Sequence, residues 1–67
     1  MVISYQGLWR ILEKRKMSRS ELAKRAGISP STVRCMANAQ NVSLDVLGRI
    51  CQALHVNLGD IARFVEE

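Results

Sequence analysis

An all-α domain of five short helices is what this sequence predicts, on three observations. Five times an apolar residue precedes Ser or Asn, with a second apolar residue four positions after the polar one: Ile3-Ser4…Leu8, Met17-Ser18…Leu22, Ile28-Ser29…Val33, Val42-Ser43…Leu47 and Val56-Asn57…Ile61. Each such pattern marks a helix start, because the Ser or Asn oxygen accepts an orphan N–H of the first turn and the apolar pair staples the entering chain. The second and third starts lie eleven residues apart with Gly27 between them, which is the spacing of a helix-turn-helix. Strand alternation is confined to Val2–Tyr5, and no internal repeat or low-complexity tract interrupts the pattern.

Helix 1 is expected over 5–16, with Leu8, Ile11 and Leu12 inward and Arg10, Lys14 and Arg15 toward solvent. Trp9 fits either the core edge or the surface, and Gly7 weakens the first turn. Helix 2, over 19–26, has a capping-box sequence in Ser18-Arg19-Ser20-Glu21, an inner face of Leu22, Ala23 and Ala26, and Gly27 placed for a left-handed cap. Helix 3, over 30–38, starts at Ser29 with Pro30 at its first position, where a missing N–H is no loss. At 100° per residue Pro30, Val33, Met36 and Ala37 point inward, Ser31, Cys35 and Asn38 point outward, and Thr32 and Arg34 flank them. After the polar loop Ala39-Gln40-Asn41, helix 4 over 44–54 carries a stripe of Leu44, Leu47, Ile50, Cys51 and Leu54, and His55 is placed to meet its last carbonyls. Helix 5 is expected over 58–65, with Asp60 near its positive end and Ile61, Phe64 and Val65 on one face. The least exposed side chains should include Leu8, Leu12, Leu22, Val33, Leu47, Ile50 and Leu54.

A chain of 67 residues is expected to form one domain, 1–67, and buries only ~60% of the surface its unfolded form exposes. The 48% hydrophobic content argues for a folded globule, and dimerisation is an expected source of further stability. Formal net charge is +4, but it is unevenly spread. Residues 1–40 carry eight Lys/Arg against Glu13 and Glu21, whereas residues 41–67 carry two Arg against four acidic residues. A basic front and an acidic tail suit a polyanion-binding half and a non-binding half.

No paired carboxylates, Ser/His/Asp set or metal-ligand spacing is present, and a domain of this size has little room for a closed pocket, so an enzyme is not expected. Cys35 and Cys51 are too few for a disulfide framework or zinc site, and His55 is the only histidine. No cofactor or metal is therefore expected. The sequence contains no run like a secretion signal and none near the ~20 apolar residues of a membrane span, so a cytoplasmic location without membrane association is expected.

The segment Met17–Asn38, MSRSELAKRAGISPSTVRCMAN, closely resembles the helix-turn-helix of the phage-repressor and Cro-like (lambda-repressor-like) DNA-binding family. Leu22, Ala23, Gly27, Ile28, Ser29, Thr32 and Val33 stand where that family has its usual residue types, and Val42–Ile61 resembles its fourth helix and the start of its fifth. The resemblance implies a compact repressor-like domain that binds double-stranded DNA. Several positions depart from the pattern. Leu12 and Ala37 replace an ion pair frequent in the family, and both charges are lost together, so no buried charge is stranded. Arg19 stands where Gln is frequent, Asn38-Ala39 replaces Asn-Gly, and Pro30 occupies a position from which several relatives read a base.

In such a domain the third helix lies in the major groove and the second spans the backbone. Ser31 and Thr32 are small enough for close approach, and their hydroxyls donate or accept. Arg34 can pair with guanine or, from its flank position, with phosphate, while Cys35 can offer an apolar contact to a thymine methyl. Arg19, Asn38 and the N-terminal amides of helices 2 and 3 suit phosphate, and Ser29 is a cap first and a phosphate contact second. The expected function is a sequence-specific transcriptional regulator, a repressor acting as a homodimer through Ile61, Phe64 and Val65. The alternative is an antitoxin-like or accessory module that binds a protein partner, its DNA binding autoregulatory or lost. RNA is disfavoured because the outward face of helix 3 has no aromatic side chain on which bases would stack.

Overall fold

A computed structural model describes residues 2–66. The elements run β1 (Val2–Ser4), α1 (Gln6–Lys14), α2 (Arg19–Ala26), α3 (Pro30–Ala37), α4 (Leu44–Leu54), α5 (Leu58–Ile61) and β2 (Arg63–Val65). α2 packs on α3 and α4, while α1 and α4 both pack on α5. The core forms where these helices meet, and all seven side chains expected to be least exposed are buried in it. Met36 and Ile61 join them.

The local capping chemistry holds at three starts. Ser18, Ser29 and Ser43 each have extended backbone and accept the N–H of the third residue onward, from Glu21 at 3.1 Å, Thr32 at 3.2 Å and Val46 at 3.2 Å. At α5 the Asp60 carboxylate accepts the Asn57 N–H at 2.9 Å. The first start differs. Ser4 ends β1 instead of capping α1, its Oγ accepting from Gln6 N–H at 3.4 Å, and Tyr5 occupies the cap position without a side-chain cap bond. Tyr5 is buried, and its hydroxyl donates to the Gln40 carbonyl at 3.0 Å, fastening the start of α1 to the α3–α4 loop. Burial pushes the Tyr5 phenol above its usual pKa, so it is the protonated donor that the fold keeps.

Helix ends show the complementary solution. Gly27 (φ 68°) takes the left-handed conformation after α2, and the Ile28 N–H returns to the Ala23 carbonyl at 3.0 Å. Lys16, Ala39 and His55 adopt the same region with φ of 54°, 58° and 57° despite carrying a Cβ. Ala39 thus keeps the left-handed turn that the glycine of an Asn-Gly pair makes easily, at a cost of about 1 kcal/mol. Beyond α4 the Leu54 carbonyl accepts from Arg15 Nη1 at 2.9 Å, so a cation of helix 1 fills the role expected of His55.

The last helix is shorter than expected. α5 is a single turn, Ala62 is extended (φ −143°, ψ 147°), and Arg63–Val65 forms a strand rather than continuing to 65. β2 pairs antiparallel with β1 in the register Val2↔Val65, Ile3↔Phe64 and Ser4↔Arg63. Apolar cross-strand pairs and mutual satisfaction of two otherwise unpaired backbones outweigh one more helical turn. The expected Ile61-Phe64-Val65 helix face therefore does not form: Ile61 is fully buried, whereas Phe64 is 71% exposed. Leu44 also departs from its expected stripe and is 70% exposed, because it is the first residue of α4 and lies on the rim of a groove rather than over the core. Pro30, expected inward, is exposed at the start of α3.

Gly7 is what lets α1 reach α5. A Cβ there would fall far inside the contact distance to the Asp60 carbonyl oxygen, a backbone atom that cannot swing aside. Gly7→Ala should therefore lose about 1–3 kcal/mol of stability despite alanine's better helix propensity. In a thermal melt this is a fall of about 4–8 °C per kcal/mol, and an unchanged or raised midpoint would show the contact to be soft.

Candidate nucleic-acid interface

Two short helices, α2 and α3, are set at a fixed angle by the left-handed Gly27 and by Ile28, which packs against the core. Val33 and Met36 anchor α3 from below, which turns Ser31 and Arg34 to solvent and leaves Thr32 and Cys35 half-buried. Asn38 is exposed at the end of α3, its N–H accepted by the Arg34 and Cys35 carbonyls at 3.1 Å each. Of the outward face expected of helix 3, Ser31 and Asn38 are exposed, whereas Cys35, expected to point directly away, is half-buried.

The first turn of α3 carries a compact hydroxyl cluster. Ser29 Oγ lies 3.0 Å from Ser31 Oγ and 2.8 Å from Thr32 Oγ1, and it also accepts the Thr32 N–H. A hydroxyl has one proton and two lone pairs, so these three bonds saturate Ser29 and leave it nothing for a phosphate. Its proton goes to one of the two neighbours, and the other neighbour must donate back. One of the Ser31 and Thr32 hydroxyls therefore spends its proton on Ser29, and the other keeps its proton for an external acceptor.

Arg19 opens α2, and its guanidinium stacks 4.7 Å from the centroid of the Trp9 ring. Arg19, Ser20, Pro30, Val33 and Arg34 border an open cleft of about 210 Å³ between the starts of α2 and α3. Both arginines are exposed, and neither makes an ion pair among the described residues. By contrast Arg49 is tied to Asp45, with Nε to Oδ2 at 2.9 Å. Two cations of the basic half, Arg19 and Arg34, thus meet at the α2–α3 cleft with no carboxylate paired to them among the described residues. Trp9 and Ser20 are the members of this surface that the sequence did not single out; the Trp9–Arg19 approach spans two helices and follows no local spacing rule.

Neither cysteine is disulfide-bonded. Cys51 packs against the core, and burial first, then the Asp60 carboxylate, raise its thiol pKa, which disfavours the thiolate. Among the described residues no group of His, Cys, Asp and Glu could hold a metal ion, and no helix is long and apolar enough to cross a membrane.

A family model described as the Cro/C1-type HTH DNA-binding domain matches residues 7–67. The uncharacterized HTH-type transcriptional regulator YozG of Bacillus subtilis (strain 168) is 39% identical over 56 residues, covering 81% of this chain and 67% of that protein. The crystal structure of the transcriptional regulator VanUg superposes with a TM-score of 0.92 at 39% identity, over 98% of this chain and 88% of that one.

The cap reading of Ser29 has a direct check. Ser29→Ala should cost about 1 kcal/mol in urea unfolding, within the 0.5–2 kcal/mol range of lost caps. Unchanged stability would mean that the hydroxyl cluster does not hold the start of α3.

Proposed function

The chain belongs to the Cro/C1-type helix-turn-helix DNA-binding family of transcriptional regulators, and we propose that it acts as a sequence-specific repressor, a homodimer that lays α3 in the major groove. The observation that carries this reading is the outward face of α3. Small hydroxyl side chains at Ser31 and Thr32 precede Arg34, over a helix held rigidly by Val33 and Met36. This order lets the first turn approach base edges closely while the arginines on either side of the cleft meet the sugar-phosphate backbone. Cys35 adds an apolar patch for a thymine methyl, and Asn38 a donor at the far end of the helix. Repression needs no more than occupancy of a promoter.

The homodimer is supported by the distribution of exposed apolar side chains. Among the described residues Val2, Leu44, Leu58, Phe64 and Val65 are the large exposed hydrophobics, and all lie on the β1–β2 ribbon or at the first residue of α4 or α5. Leu44, Leu58 and Phe64 border, with Ile3 and Leu47, an apolar groove of about 350 Å³. Apolar surface gathered at one end marks an interaction site. In our reading its occupant is a second copy, which would set two α3 helices about one DNA turn, ~34 Å, apart. Phe64 and Val65 serve this interface, while Ile61 supports it from the core.

Two measurements test these statements. Selection from a randomised duplex pool should show Ser31→Ala or Thr32→Ala relaxing preference at one base pair by about 1–3 kcal/mol, with the salt-dependent attraction retained. A parent protein that selects no sequence would remove the regulator reading and bring a protein-partner module to the front. Sedimentation of the parent should give a dimer and Phe64→Ala a folded monomer; a variant that dimerises like the parent would place the interface elsewhere.

A further inference from the structure

We propose that Trp9 is a positioning residue for DNA binding: its ring holds the Arg19 guanidinium at the α2–α3 cleft, ready to meet a backbone phosphate. The inference rests on the DNA-binding reading and adds a residue to it. Arg19 is the first residue of α2, where a long, flexible side chain in water would sample many rotamers, and ordering it on binding costs free energy. Trp9 is half-buried and packed against the core, so its ring is a fixed surface. With the guanidinium carbon 4.7 Å from the ring centroid, the stack lies within the range of a cation–π contact.

Stacking uses the face of the guanidinium and leaves its edge N–H donors free, and these are what a phosphate oxygen accepts from. The same cleft is bordered by Arg34 from α3, so a phosphate seated there would meet cations from both helices of the motif. Neither arginine is neutralised by a carboxylate among the described residues. An aromatic ring therefore takes the place of an acidic partner: it orders Arg19 without cancelling the charge that the DNA must meet.

The test is a double-mutant cycle, read by anisotropy of a fluorescein-labelled duplex pool of randomised sequence over a series of salt concentrations. Trp9→Leu should weaken binding roughly two- to five-fold, the worth of an exposed cation–π contact. Trp9→Phe, which keeps an aromatic face, should restore part of that loss. Arg19→Ala should weaken binding and lower the salt slope by about one unit. In the Arg19→Ala background, Trp9→Leu should cost nothing further, a result that a merely structural role for Trp9 would not give. Equal losses in both backgrounds, or no loss from Trp9→Leu in the parent, would overturn the proposal while leaving DNA binding intact. A parent that shows no salt-dependent affinity for the duplex would overturn both. Should Trp9→Leu melt before the titration temperature, the Trp9→Phe and Arg19→Ala pair completes the cycle, and additive losses there again overturn the proposal.

Discussion

Helices of four to eleven residues are shorter than those that persist alone in water, and every helix of this chain is of that kind. α2, α3, α4 and α5 are held by a side chain at their starts, α1 by the buried Tyr5 and its bond to the Gln40 carbonyl, and each buries one stripe. Three serines and one aspartate supply most of the first condition, and the meeting of α1, α2, α4 and α5 supplies the second. The consequence is an economical scaffold in which caps also set where functional residues begin. Ser18 places Arg19 at the head of α2, and Ser29 places Ser31 and Thr32 in the first turn of α3. Stability and the proposed recognition surface share the same few positions.

That sharing divides labour among the hydroxyls. Ser29 is committed to the start of α3, and in the proposed reading its neighbours Ser31 and Thr32 address DNA. The charge is divided in a similar way. Arg15 closes the end of α4 and Arg49 pairs with Asp45, whereas Arg19 and Arg34 stand at the α2–α3 cleft with no carboxylate against them. A net charge of +4 is thus less informative than which cations the fold has already used.

The parts legible in the sequence are those governed by near neighbours. The bounds of α2 and α4 follow directly from Ser18, Gly27, Ser43 and His55, and the seven expected core residues follow from helical periodicity. The parts that were not legible depend on residues far away along the chain. Arg63–Val65 reads as a helical stripe until Val2–Ser4 is known to lie beside it. Gly7 reads as a weak point until Asp60 is placed against it, and Trp9 fits core edge and surface equally until Arg19 is placed over its ring. Leu44 and Pro30 failed for a simpler reason: each is the first residue of its helix, where the helical face extends past the element that would cover it. The placement of the candidate site residues on α2 and α3 was thus open to sequence reading, but the hydrogen-bond state of Ser29, Ser31 and Thr32 needed coordinates.

The pairing of Val2–Ser4 with Arg63–Val65 has a topological result. It brings the two ends of the described chain to one place, so the polypeptide is closed into a near-ring whose seam is the ribbon itself. That ribbon also contributes Ile3 and Phe64 to the border of the apolar groove. The same closure makes a linker joining the ends short, so the order of elements can be permuted around the ring with the α2–α3 pair kept intact.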